Sequence, residues 1–298
     1  MLAVLWMAAC GGHSGGASAG TTHPSPFAGA SGASGTLTGA VDAATPSTDA
    51  SSAFECGSLA PINQSSATLY SVFPDIYSSA GTLAAITVDL PRIRDLGFDV
   101  VYLLPVTPLG QPTGSHPAFG SPYCVHDYYA INPAYGAVQD LVALVESAHA
   151  VGLHVILDEV LNHTSWDNAL IAQHPEYYLH SDGNPQNVDS IEEAFTFADV
   201  AQLDYKTPGN GLATYIVDML AYWLKTYDVD GFRFDTADDP SGSGRMIPAT
   251  FWQSLRTQLE AVKPGILMLG EEQDAELNSF TLKRDHRNRA TWPAILPG

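Results

Sequence analysis

Three short apolar runs of this chain each end in a carboxylate residue. They read V-I-L-D at 155–158, G-F-R-F-D at 231–235 and L-M-L-G-E at 267–271. A buried parallel strand is a nearly continuous apolar run, and in a (β/α) barrel the functional side chains lie where such strands end. The pattern therefore predicts that Asp158, Asp235 and Glu271 meet at one edge of a parallel sheet.

Predicted strands and helices alternate along most of the sequence. Strands are predicted at 68–74, 100–106, 154–158, 231–235 and 266–271, and helical segments at 90–98, 138–150, 212–227 and 249–262. Such alternation implies parallel βαβ units, which an open doubly wound sheet and a barrel share. Because carboxylates end three different strands, the barrel is favoured. We expect an α/β fold that forms a partial (β/α)8 TIM barrel.

Composition divides the chain into four segments. Residues 1–10 resemble a lipoprotein signal segment, residues 11–65 form a disordered tether rich in Gly, Ser and Ala, and residues 66–280 hold an incomplete (β/α) barrel. Residues 162–208 are a long insert after the third strand, and connections of this length are usually functional or small subdomains. Residues 281–298 form an atypical basic tail.

The N-terminal segment predicts export from the cytoplasm. It reads M-L-A-V-L-W-M-A-A-C, which is too short to span a bilayer and lacks a basic start, but ends in small residues before Cys10. This ending resembles the lipobox of bacterial lipoproteins. The tether that follows cannot bury a core, so it would hold a globular domain away from a membrane. We expect a protein that is lipid-anchored to the cell envelope through Cys10, or secreted.

Two further cysteines, Cys56 and Cys124, leave two alternatives open. In an oxidising compartment they can form a disulfide, and otherwise they are unpaired thiols.

The net charge of −20 limits the possible partners. It argues against nucleic acid and against anionic membrane surfaces. A neutral ligand such as a glucan is compatible with it. We expect membrane contact only through the lipid anchor, and a monomer.

Paired carboxylates that flank a sugar bond are the catalytic groups of most glycoside hydrolases. Asp235 and Glu271 are suitably placed to be such a pair if their strands are neighbours. Arg233 lies two residues before Asp235, so both side chains are on one face of the strand. A guanidinium there can orient a nucleophilic carboxylate and keep it ionised.

Four segments together resemble the α-amylase superfamily of glycoside hydrolases, over about residues 66 to 280. They are D-E-V-L-N-H at 158–163, G-F-R-F-D at 231–235, G-E at 270–271, and G-S-P-Y-C-V-H-D-Y-Y-A-I-N-P-A-Y-G at 120–136. The resemblance implies a retaining hydrolase that acts on α-glucans, starch or maltooligosaccharides. It implies Asp235 as the nucleophile and Glu271 as the general acid.

The same resemblance implies roles for further residues. Asp158 would pair with Arg233 rather than take part in the chemistry. His163 would bind a sugar hydroxyl, and Tyr123 would stack on the reacting sugar ring.

No cofactor is required on this interpretation, and calcium is possible. Asn162 matches a residue that binds calcium in many members of the superfamily. Gln202, however, stands where amylases often have a calcium-binding Asp, so we expect weak calcium binding or none.

The later His-Asp motif of the superfamily is not found after Glu271, and five strands are predicted where a barrel needs eight. We therefore expect the N-terminal part of a truncated catalytic barrel with poor activity. Two other functions remain open: an α-glucan transglycosylase of the same superfamily, and a surface glucan-binding lipoprotein without catalysis. The bond cleaved, α-1,4 or α-1,6, is also open.

Overall fold

The computed structural model describes Leu59, Ile62, and residues 66–237, 247–271 and 282–283. The predicted signal segment with Cys10, most of the tether with Cys56, and most of the basic tail lie outside the described residues.

The described part of the chain contains strands, α-helices and two short 3-10 helices. The strands are β1 (Leu69–Val72), β2 (Val100–Leu103), β3 (His154–Val160), β4 (His163–Ser165), β5 (Glu193–Ala194), β6 (Phe197–Gln202), β7 (Gly231–Asp235), β8 (Leu267–Gly270) and β9 (Leu282–Lys283). The α-helices are α1 (Pro74–Tyr77), α2 (Leu83–Asp95), α3 (Val138–Ala150), α4 (Leu170–Gln173), α5 (Leu212–Tyr227) and α6 (Ala249–Val262). The 3-10 helices are Pro175–Tyr177 and Val188–Ser190.

The main sheet has six strands in the order β1-β2-β3-β7-β8-β9, and every neighbouring pair is parallel. Spatial order follows chain order throughout. A doubly wound sheet reverses its strand order at a switch point, whereas a barrel does not. The α/β fold with a parallel sheet is thus confirmed, and the order agrees with a partial barrel.

The sixth strand lies within the predicted basic tail. Leu282 and Lys283 pair with Leu269 and Gly270 of β8. Two residues are too few to show the alternation by which a strand is recognised.

The two faces of the sheet have different cores. Val100, Ile156 and Leu267 form a small apolar cluster on one face. The opposite face packs against the helices in the large core, through residues such as Leu157 and Phe232. Because side chains alternate along a strand, the face that carries the small cluster also carries the charged residues further along β3, β7 and β8.

Helices α3, α5 and α6 have the predicted bounds because each carries a clear apolar stripe. In α5, Ile216, Met219 and Trp223 are buried on one face. Helix α2 is longer than the predicted segment, since its first turn begins at Leu83 after Thr82, whose hydroxyl accepts a hydrogen bond from the Ala85 amide at 3.4 Å.

The insert contains structure that the sequence did not reveal. Strands β4, β6 and β5 form a three-stranded antiparallel sheet. In this sheet His163 lies opposite Gln202. The insert therefore returns to the end of β3, next to the residues expected to have a function.

Cys124 is a buried, free thiol that donates to the Asp199 carbonyl at 3.1 Å. The unpaired alternative therefore holds for this cysteine. None of the helices in the described ranges is long and apolar enough to cross a membrane.

Candidate active site

The guanidinium of Arg233 lies at the centre of the charged end of the sheet. Its Nη1 donates to Asp158 Oδ1 at 2.7 Å and to Asp235 Oδ1 at 3.1 Å, and its Nη2 donates to Glu271 Oε2. The arginine side chain is almost completely buried. The three carboxylates that end the apolar runs of the sequence are therefore held by one cation.

Strand register explains this convergence. Asp158 is paired with Arg233 and Val160 with Asp235 between β3 and β7. Glu271 follows β8 and is fixed by its backbone, since its N–H donates to the Phe234 carbonyl at 3.0 Å. Alternation then points Asp158, Arg233 and Asp235 to one face of the sheet.

The two predicted catalytic carboxyls contact the same guanidinium, and the Glu271 carboxyl is one of the groups that raise the pKa of Asp235. A retaining pair that holds a sugar has its carboxyl groups about 5–5.5 Å apart. The Glu271 side chain is 27% exposed against 11% for Asp235, which makes Glu271 the carboxyl nearer to solvent.

The crowding of carboxyls changes their affinity for protons. Burial raises the pKa of Asp235 to about 7, with further increases from Asp158 and Glu271, while Arg233 acts in the opposite direction. Burial also raises the pKa of Asp158, although less, because Arg233 and two tyrosine hydroxyls stabilise its charged form. Asp235 therefore keeps a proton at pH values where an ordinary Asp is ionised.

Two residues of the site were missed by the sequence analysis. The Tyr102 hydroxyl donates to Asp158 Oδ2 from the neighbouring strand β2. The Thr236 hydroxyl donates to Asp235 Oδ2 at 3.2 Å, and its amide donates to Glu271 Oε2 at 3.4 Å. Tyr102 is the polar residue in an otherwise aliphatic strand, which is the signal that could have identified it. Thr236 has a φ of 45°, a conformation that β-branched residues rarely adopt.

Tyr123 joins the cluster through both its hydroxyl and its ring. The hydroxyl donates to Asp158 Oδ2 at 3.2 Å, and the ring centroid lies 5.8 Å from Arg233 Cζ. This distance is within the range of a cation–π contact. Its expected stacking on a sugar ring stays a prediction.

His163 lies behind Tyr123 rather than in contact with the carboxylates. Its Nε2 donates to the Tyr123 carbonyl at 3.2 Å, and its Nδ1 accepts from Asn162 Nδ2 at 3.4 Å. Burial lowers the pKa of His163 to about 4, so the ring is neutral at neutral pH. Both ring nitrogens are engaged, and a role in binding a sugar hydroxyl stays a prediction.

Asn162 does not fit the expected role of a calcium ligand. Its side-chain oxygen accepts a hydrogen bond from Gln202 Nε2 at 3.1 Å. Calcium takes six to eight oxygen ligands and favours carboxylates, but the described residues contain no group of three or more His, Cys, Asp or Glu that could hold a metal ion. An N–H donor next to a cation would also be repulsive, so the contacts of Asn162 in this structure do not fit a calcium ligand.

Comparison with protein families identifies the family of this chain. The model described as Alpha amylase, catalytic domain, matches residues 47–289. The chain belongs to the alpha-amylase family. This result confirms the resemblance inferred from the sequence motifs.

Several curated relatives of this alpha-amylase family chain act on glucans according to their names. A cyclomaltodextrinase of Geobacillus thermopakistaniensis is 29% identical over 201 residues, which cover 64% of this chain and 32% of that protein. An alpha-1,4-glucan:maltose-1-phosphate maltosyltransferase of Mycobacterium tuberculosis is 28% identical over 207 residues, which cover 64% of this chain and 28% of that protein. The chain thus spans about a third of the length of such relatives.

Solved structures give the same family. An alpha-amylase from Lactobacillus plantarum has a TM-score of 0.59 and 40% identity, over 69% of this chain and 45% of that chain. A maltogenic alpha-amylase from Thermotoga neapolitana has a TM-score of 0.63 and 30% identity, over 74% of this chain and 49% of that chain.

Proposed function

We propose that this alpha-amylase family chain carries the catalytic pair of a retaining glycoside hydrolase that acts on α-glucans. The observation that carries the proposal is the position of Asp235 and Glu271, which meet beside the guanidinium of Arg233. A protein that only binds glucan has no need of two carboxyls in this arrangement.

In the first step the protonated carboxyl of Glu271 gives its proton to the oxygen of the glycosidic bond. A carboxylate oxygen of Asp235 attacks the anomeric carbon from the opposite face, and the bond to the leaving sugar breaks. The product is a glycosyl ester on Asp235. Arg233 stabilises the ionised Asp235 before the attack, because its guanidinium donates to Oδ1.

In the second step Glu271, now ionised, takes a proton from water. The water oxygen attacks the anomeric carbon and Asp235 leaves as a carboxylate, so the configuration is retained after two inversions. One carboxyl must be ionised and the other protonated when the substrate is bound. The Glu271 side chain is the more exposed of the two, which suits the group that exchanges its proton with water.

The relatives support an α-glucan as substrate. Their names include cyclomaltodextrinase and intracellular maltogenic amylase. We propose starch or maltooligosaccharides as the substrate class of this protein, without requirement for a cofactor.

The test is release of an aryl group from an aryl α-maltooligosaccharide, with the anomer of the sugar product followed by NMR. We expect the α-anomer to form first, and Glu271→Gln to lower the rate by about 10²- to 10⁴-fold, the usual contribution of a general acid. A β-anomer as first product would contradict the retaining mechanism. Asp218→Asn, at an exposed position on α5, is the matched control for the loss of one carboxylate.

A transglycosylase is the second candidate, because one group of relatives is named maltosyltransferase. The same glycosyl ester would then be attacked by a sugar hydroxyl instead of water. Products longer than the donor, formed with excess acceptor sugar, would favour this function.

Export and lipid anchoring at Cys10 are proposed from the sequence alone. Metabolic labelling with a radioactive fatty acid tests the anchor. We expect label in the wild-type protein and none in Cys10→Ala.

A further inference from the structure

The side-chain amide nitrogen of Gln202 lies among three oxygens at the junction between the barrel and its insert. Gln202 Nε2 donates to the Asn162 carbonyl at 2.9 Å, to Asn162 Oδ1 at 3.1 Å and to the Leu203 carbonyl at 3.2 Å. Gln202 and Asn162 are each only 1% exposed, so water does not supply these bonds. We call this group of three oxygens the junction cage.

The junction cage has the donor chemistry that a hard cation prefers, namely carbonyl and amide oxygens that converge on one point. Left empty, three converging oxygens repel one another in a buried site, which costs free energy even though the Asn162 carbonyl also accepts from the Leu203 amide at 3.0 Å. In this structure the partial positive charge of an –NH₂ group stands at the point where a cation would stand.

The other end of the same amide supports this orientation. Gln202 Oε1 is buried and has no hydrogen-bond partner. In this orientation the amide oxygen makes no hydrogen bond, while the amide nitrogen donates to the oxygens of the junction cage. An unsatisfied buried acceptor is unfavourable, so the three bonds at the nitrogen must outweigh it.

We propose that the Gln202 amide replaces a metal ion at this junction, which makes the attachment of the insert independent of calcium. Gln202 is the last residue of β6, and Asn162 follows β3, so the amide ties the insert to the strand that carries Asp158. The tie extends to the active site, because Asn162 Nδ2 donates to His163 and His163 donates to the Tyr123 carbonyl. Gln202 is thus a positioning residue.

The proposal is tested by the calcium response of the protein. We define the calcium response as the melting temperature in millimolar CaCl₂ minus the melting temperature in EDTA. The variants are Gln202→Glu, which keeps the shape but places an oxygen in the cage, and Gln202→Met, which offers neither a donor nor a hard ligand. Gln253→Glu, at an exposed position on α6, is the control for an added negative charge.

We expect Gln202→Glu to melt lower than the wild type in EDTA, because four oxygens then meet without a cation. Calcium should restore it, so that its calcium response exceeds that of the wild type by roughly 5 °C or more. Gln202→Met should also melt lower in EDTA, but its calcium response should equal that of the wild type. Gln253→Glu should match the wild type in both conditions.

Two results would overturn the proposal. A wild-type calcium response larger than that of Gln202→Met would mean that the native amide turns its oxygen into the cage and binds calcium. A Gln202→Glu response equal to that of the wild type would mean that the nitrogen does not stand in a cation position. Because these measurements need no turnover, they are independent of the proposed hydrolase activity.

Discussion

The carboxyl groups of Asp235 and Glu271 both accept hydrogen bonds from one guanidinium, that of Arg233. With Asp158 on the same guanidinium, three carboxyls share one arginine in a largely buried site. One positive charge cannot neutralise three negative charges, which agrees with the raised pKa of Asp235.

The first prediction concerns the pH dependence of stability. Folding raises the pKa of Asp235 from 3.8 to about 7, so the native state holds an extra proton in this window and its stability falls as pH rises through it. Asp235→Asn holds no such proton. We expect its melting temperature, relative to the wild type, to be higher at about pH 8 than at about pH 5. A difference in melting temperature between Asp235→Asn and the wild type that does not change with pH would contradict the raised pKa of Asp235.

The second prediction concerns Arg233. Arg233→Lys keeps the positive charge. It replaces the two guanidinium nitrogens that donate to three carboxyls with one ammonium nitrogen. We expect a loss of about 3–5 kcal/mol in the free energy of unfolding, because carboxylates are left buried with incomplete pairing. Urea denaturation measures it. Arg256→Lys, whose 3.7 Å ion pair with Glu260 lies on the more exposed helix α6, should change stability by less than about 1 kcal/mol. Equal losses in the two variants would contradict the central role of Arg233.

The cluster could be predicted from the sequence because the end of a strand and the alternation of its side chains can both be read from a few neighbouring residues. Asp158, Arg233, Asp235 and Glu271 each lie at a position that the period of two determines. The other contacts depend on residues far apart in the chain, for which a single sequence carries no register. Tyr102 lies 56 residues from Asp158, and Gln202 lies 40 residues from Asn162.

The small strands of the insert were missed for a different reason. β4 and β5 have three and two residues, so no hydrophobic period can be read from them. Their pairing with β6 depends on the insert returning to the end of β3, which local propensity does not encode.

The third prediction concerns Gly231 at the start of β7. A Cβ at this position would lie 1.9 Å from the Leu267 carbonyl oxygen of the neighbouring strand. Gly231→Ala must separate β7 from β8, and we expect a loss of about 4 kcal/mol or failure to fold. Gly265→Ala is the control, since its φ is +80° but no atom lies within 4 Å of the added Cβ. It should cost only about 1–2 kcal/mol, the strain of the left-handed conformation.

The fourth prediction concerns Asp230, buried at the opposite end of β7. Its Oδ2 accepts from the Val155 amide at 2.8 Å and contacts His149 Nε2 at 2.8 Å, and its Oδ1 lies 3.1 Å from Lys263 Nζ. Burial would raise the pKa of Asp230, but His149, His154 and Lys263 lower it well below its ordinary value. The stabilisation is therefore present above the ordinary carboxyl pKa and is lost as pH falls through the lowered one.

We expect Asp230→Asn to lose about 3–5 kcal/mol at neutral pH, because the Val155 amide, His149 and Lys263 would all lose their buried charged partner. The loss, measured by urea denaturation, should shrink in acid. Asp228→Asn is the control: Asp228 also contacts Lys263 but is 74% exposed, so its loss should be below about 1 kcal/mol. A loss at Asp230 that does not depend on pH would contradict the role of the charge.

Covalent trapping tests the central claim, that Asp235 is the nucleophile. A fluorinated α-maltosyl fluoride reacts to give the glycosyl ester, which then hydrolyses slowly. A single reaction therefore labels the protein, so the experiment also works when the turnover rate is low. After digestion, mass spectrometry locates the sugar. We predict one labelled peptide with the sugar on Asp235, and no label in Asp235→Asn. A sugar on Glu271 or on another residue, or label that persists in Asp235→Asn, would contradict the account.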